Sequence, residues 1–197
     1  MSALEKDTDE SLMVRIQKAD HRAFSVLVQR HTERFYALAF RTCSDQMMAE
    51  DIVQEAFLKL WKKPDSWNAD KGAKFTTWFY RVVVNTAHDF GRKKRKEYTS
   101  EKLESFADES LKADEALHEA EQQEKLEEAV QALPERQKAA LNLCFYEGLS
   151  NKEAADIMGV GVKALESLLM RAKTALKDEL IRGGIIETPM KKETRYG

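Results

Sequence analysis

Arg81, Asn85, His88 and Arg92 recur at i, i+4, i+7 and i+11. On a helix this spacing lays them along one stripe. Guanidinium, amide and imidazole groups in a row can bond to phosphate oxygens and to base edges. The stripe runs into Arg92-Lys93-Lys94-Arg95-Lys96, five consecutive cations in a chain of formal net charge -2. Such a block attracts a phosphate backbone. Composition alone also allows a nuclear-localisation run, which leaves the Arg/Asn/His stripe without a role. Thr77 and Val84 share the polar side of this helix, with Tyr80 at its border.

A second cluster lies towards the C-terminus. Ser150-Asn151-Lys152-Glu153 fits a capping box, and Gly159 ends the short helix behind it. After Val160-Gly161-Val162 a longer helix is predicted from about residue 163 to 180, with Lys163, Glu166, Ser167, Met170 and Arg171 facing outward. Lys173 and Lys177 are placed to serve phosphates. A short helix, a glycine turn and a longer helix form a helix-turn-helix pattern, whose second helix enters the major groove by its N-terminal residues. The same pattern also describes a helical packing or dimerisation module. A third cluster is Asp51, Gln54, Glu55 and Leu58, a carboxylate-rich ridge with one apolar tooth. It suits a protein partner offering arginines. The alternative is a solvated face with a stray leucine.

Catalytic chemistry has no foothold. There is no nucleophile–base pair, glycine-rich phosphate loop or HExxH, and no histidine pairs with a cysteine at ligand spacing. No enzyme activity, cofactor or metal is therefore expected. Glu121, Glu124 and Glu128 sit in a generally acidic run and need no chemistry. Cys43 and Cys144 read as buried small hydrophobes, not as a disulfide.

The elements that must position these clusters are helices. Eight glycines, three prolines and near-universal helical periodicity predict an all-α fold. Ile52, Val53, Ala56, Phe57, Leu60 and Trp61 form the core face behind the acidic ridge. Phe75, Trp78, Phe79, Val82, Val83, Thr86 and Phe90 form the core face behind the polar stripe, which makes Trp78 a core residue. The Lys63–Lys74 segment between them is a loop. Its Trp67 either frames a pocket for a flipped base or ties the loop to the core. Leu133-Pro134-Glu135 starts a further helix, and Gly148 ends it. Leu165, Leu168, Leu169, Ala172 and Leu176 form the buried stripe of the last one.

Two small helical domains joined by an acidic linker account for this pattern: 1–95, a linker over 96–128, a helix-turn-helix domain over 129–183, and a tail over 184–197. Residues 101–128 hold eleven acids and three lysines with few large apolar side chains, a poor core former. The linker is either a solvated strap or a shield for basic surfaces. No apolar run approaches the ~18 residues of a membrane span. The N-terminus lacks a secretory pattern, so a cytoplasmic protein is expected.

Three segments together resemble bacterial sigma-70-family initiation factors of the extracytoplasmic-function group. Asp51-Ile-Val-Gln-Glu-Ala-Phe57 resembles their DxxQExF segment. Phe75-Thr-Thr-Trp-Phe-Tyr-Arg-Val-Val-Val-Asn85, with Asp89 and Arg92, resembles their promoter -10 helix. Leu133 through Leu180 resembles their promoter -35 domain. The resemblance implies that Asp51, Gln54, Glu55 and Leu58 dock on core RNA polymerase. It assigns Trp67, Lys74, Tyr80, Arg81, Asn85, His88, Arg92 and Lys93 to the -10 element. It assigns Lys163, Glu166, Ser167, Arg171, Lys173 and Lys177 to the -35 element. It further implies promoter melting, a linker threaded near the RNA exit path, and an anti-sigma partner. In the reading helix, Ala164-Leu165-Glu166-Ser167-Leu168 stands where the family often has a Thr-Val-Lys-Ser-Arg type run. That shifts backbone binding towards Lys163, Arg171, Lys173 and Lys177. Two rivals fit the residues alone: a homodimeric helix-turn-helix regulator acting without polymerase, and a helical signalling adaptor.

Overall fold

The computed structural model describes residues 3–68, 74–98 and 125–186. Most of the acidic linker, part of the loop after Trp67 and the tail from residue 187 lie outside the described residues.

Short polar side chains start the first helices. Thr8 accepts a bond from the Ser11 N–H at the head of α1, Asp9–Ile16. Asp20 accepts from Arg22 and Ala23 at the head of α2, His21–Cys43. Asp45 accepts from the Met48 N–H at the head of α3, Gln46–Lys62. Each satisfies donors that the first turn leaves unpaired. Ser44 takes the left-handed conformation between α2 and α3, which turns the chain sharply enough to pack the two helices together. A 3-10 turn, Pro64–Ser66, leads to the loop before α4, Phe75–Tyr98. These four helices bury an aromatic cluster: Phe35 meets Phe79 edge-on at 4.7 Å and Tyr80 at 5.1 Å, and Phe75 stacks on Phe79 at 5.3 Å.

The second module begins with helical backbone at 125–131, here α5. Next comes α6, Glu135–Leu141, behind Pro134. Its continuation widens into a π-helical turn, Asn142–Tyr146, where a uniform helix was expected. Ser150 and Glu153 then cap α7, Asn151–Met158, reciprocally, as the capping box requires. Gly159 takes φ 63°, and α8, Val162–Arg182, follows.

The chain is all-helical across its described residues, as the periodicity predicts. The two modules are packed on each other. One apolar core runs from Phe35, Val83 and Ala87 in the first to Ala140, Leu143, Ala155, Ile157 and Leu165 in the second.

Candidate nucleic-acid interface

The acidic ridge stands clear on α3. Asp51, Gln54 and Leu58 are exposed and Glu55 half-buried, while Ile52, Val53, Ala56, Phe57 and Leu60 are buried behind them. Lys59, next to the ridge, donates to the Thr86 hydroxyl at 2.9 Å and ties α3 to α4. The sequence offered no signal for that bond, because it spans 27 residues.

On α4 the polar stripe is real. Arg81, Asn85, His88, Arg92 and Lys93 are exposed. Lys74 is exposed just before the helix. The core face of Phe75, Phe79, Val83 and Thr86 is buried. Two residues grouped with the stripe lie elsewhere. Trp67 is 1% exposed, held in place by the Gln17 amide, which donates to its carbonyl at 3.0 Å. It ties the loop to the core, and its indole ring offers no surface here to a flipped base. Tyr80 is also 1% exposed, and its hydroxyl donates to Glu147 of the second module. Burial, and then that bond, push the phenol far above its ordinary value.

Val84, expected on the polar side, is buried as well. The physical reason is a third face of α4. Tyr80, Val84, Ala87 and Gly91 recur at i, i+4, i+7 and i+11, one residue behind the polar stripe. Along this line the second module docks. Glu147 meets Tyr80, and a Cβ on Gly91 would stand 2.0 Å from the Glu135 carboxylate. The signal was the run of small and aliphatic side chains at helical spacing beside a tyrosine.

Glu147 is the polar centre of the docking. Its carboxylate also accepts from Arg34 at 3.1 Å and Arg41 at 2.7 Å, both on α2, and its side chain is 7% exposed. The π-helical turn delivers it: the Glu147 N–H bonds to the Asn142 carbonyl, five residues back. Arg34 also lies over the Tyr80 ring and Arg41 over the Tyr146 ring. Beyond the clasp, Arg81 donates to the Asp156 carbonyl on α7. A cleft of about 1110 Å³ opens between the modules, lined among others by Asn85, His88 and Arg171.

On α8, Leu165, Leu169 and Ala172 are buried. Lys163, Glu166, Arg171, Lys173 and Lys177 are exposed, and Ser167 is half-buried, its hydroxyl donating back to the Lys163 carbonyl. Lys173 sits over the exposed Phe145 ring at 5.0 Å. Both cysteines are free, and burial raises both thiols above their ordinary values, away from the reactive thiolate. Among the described residues no group of three or more His, Cys, Asp or Glu is placed to hold a metal ion, and no helix is long and apolar enough to cross a membrane.

The described residues form an all-helical protein of two modules, with exposed polar rows on α4 and α8. The family model for sigma-70 region 2 matches residues 27–97, and that for sigma-70 region 4 matches 123–176. The chain is 33% identical to the RNA polymerase sigma-H factor of Pseudomonas aeruginosa over 187 residues, covering 90% of this chain and 96% of that one. It is 32% identical to the ECF RNA polymerase sigma-E factor of Escherichia coli, covering 89% and 96%. Among solved structures it is similar to the sigma factor RpoE of Bartonella quintana in complex with the anti-sigma factor NepR, with TM-score 0.62, 25% identity, and 80% and 96% covered. The chain belongs to the sigma-70 family, in its ECF group. It is a sigma factor, which binds RNA polymerase and directs promoter recognition.

Proposed function

We propose a division of labour along the chain. The ridge of Asp51, Gln54, Glu55 and Leu58 docks on core polymerase, because its charges are free while the helix behind it is anchored. Arg81, Asn85, His88, Arg92 and Lys93, with Lys74 at the helix start, hold the unwound -10 strand. Stacking and phosphate contacts then offset an unstacking cost of about a few kcal/mol per extruded base. Tyr80 and Trp67 support this surface from within. Lys163, Glu166, Ser167 and Arg171 approach the -35 bases, and Lys173 and Lys177 the backbone. The module boundaries lie near residues 95 and 129, with the acidic linker between them. The protein performs no chemistry itself and works in the cytoplasm with polymerase. An anti-sigma protein is its regulator, by analogy with the solved complex.

The observation that carries this reading is α4, which sets an exposed row of bonding groups on a helix locked into an aromatic core. The test is promoter opening with purified core polymerase and a library of melted and duplex fragments. Enrichment of a two-element promoter with start-site transcription is expected, and reversal of Asp51 and Glu55 to lysine should abolish it through core binding. Opening that survives the reversal would move core docking off this ridge, and promoter opening unchanged by Asn85→Ala with His88→Ala would move the -10 strand off this face of α4.

A further inference from the structure

We infer that Glu166 reads a cytosine in the major groove, and that Val162 and Met170 cover thymine methyl groups on either side of it. The inference rests on reading α8 as the -35 helix and names the bases that helix takes.

Val162, Glu166 and Met170 stand at i, i+4 and i+8 on α8, and Lys173 and Lys177 continue the same face at i+11 and i+15. The face therefore sets a carboxylate between two aliphatic side chains over its first turns, and only then turns cationic. Leu165, Leu169 and Ala172 are buried on the other side. Val162 is 41% exposed and Met170 64%, although both are large and apolar. Exposed apolar groups rimmed by charge mark a surface that is covered in use. Lys173 lies over the Phe145 ring at 5.0 Å, which steadies a phosphate contact beyond the base-facing turns.

The chemistry of this face selects the base. Among the described residues Glu166 forms no hydrogen bond or ion pair. Ionised, its carboxylate accepts and cannot donate. Cytosine presents its N4 amine to the major groove with no acceptor of its own beside it. The adenine amine lies next to the N7 acceptor, and guanine and thymine present acceptors alone. No asparagine or glutamine, the side chains that suit adenine, occurs on α8. The Ser167 hydroxyl beside Glu166 gives its proton to the Lys163 carbonyl at 2.9 Å, so it too faces outward as an acceptor. Aliphatic side chains on both sides strip water from the carboxylate on docking, and a base without a donor leaves it unpaired. Lys163 and Arg171, one position round the helix, offset its repulsion from phosphate. Val162 and Met170 suit thymine methyl groups. Four helical residues span about 6 Å, close to two base steps of ~3.4 Å, so the thymines fall within about two steps of the cytosine.

The test uses the full chain with core polymerase and duplex promoter fragments randomised through the -35 element. Wild type should select cytosine at one position by roughly tenfold over each other base. Glu166→Ala should flatten that position to within about twofold and keep the rest of the motif. Glu166→Gln keeps the shape and adds a donor, so it should move the preference from cytosine to adenine. Deoxyuridine in place of a flanking thymine removes only the methyl group. It should weaken wild type roughly threefold on each side, and Met170→Ala on one side only. Both positions are exposed, and thermal midpoints check that the variants are folded. A wild-type motif without the cytosine, or a cytosine that survives both Glu166 variants, would overturn the inference and leave this face of α8 to another partner. Selection of no -35 motif by wild type would sink the -35 reading itself, a result separate from a motif that ignores Glu166.

Discussion

Asp9 shows how single residues set the N-terminal end of the fold. Its carboxylate bonds to the nearly buried His31 ring at 2.8 Å and to Arg30 at 2.6 Å. Burial raises its carboxyl, but the bonds from His31 and Arg30 and their charges outweigh burial and hold it below its ordinary value. A group with a depressed folded value stabilises above the unfolded carboxylate range, near ~3.9, and loses that contribution as pH falls through the folded value. Asp9→Asn should therefore cost about 1–2 kcal/mol at neutral pH. Urea unfolding should show the gap between wild type and variant narrowing towards pH 3. At the interface, Lys93 is a phosphate-class contact. Lys93→Ala should weaken promoter binding evenly across sequences and flatten the slope of log affinity against log salt by about 0.7, the value per phosphate of a single strand. Asn85→Ala should instead lose discrimination at one position, by ~1–3 kcal/mol, in a competition among single-base variants.

At the scale of elements, the helix-turn-helix depends on its punctuation. Ser150 caps α7, so Ser150→Ala should lower the stability of the second module by about 1 kcal/mol. Gly159 has φ 63° with nothing within 4 Å of where a Cβ would stand. Gly159→Ala should cost ~1 kcal/mol from backbone conformation alone, without a clash, visible as a lower thermal midpoint. The helices themselves were legible as local patterns: the α3 ridge, the α4 core face, the capping box and the buried stripe of α8. The π-helical turn at Asn142–Tyr146 was not. A widened turn has no distinctive residue, and this one forms where Asn142 is fully buried, with its amide 3.5 Å from the Thr42 hydroxyl of the other module.

Over the whole molecule, the two modules share a core, so a pair of beads on an acidic string does not describe the fold. Helical class, module order, the exposed stripe and the ridge could all be read from the sequence. Their signals are short-range, since spacing of 3.6 residues places side chains on faces whatever the helix packs against. The inward positions of Trp67, Tyr80 and Val84 were decided by tertiary structure. Tyr80 meets a carboxylate 67 residues away, and Arg34 and Arg41 meet the same group across 113 and 106 residues. Periodicity distinguishes an apolar face from a polar one, but α4 has three faces, and only its neighbours separate the docking line from the nucleic-acid stripe one residue on. A lone glutamate after a π-helical turn has no sequence signature either. It became the centre of the interface because the fold brought two arginines and a tyrosine to it and excluded water around them.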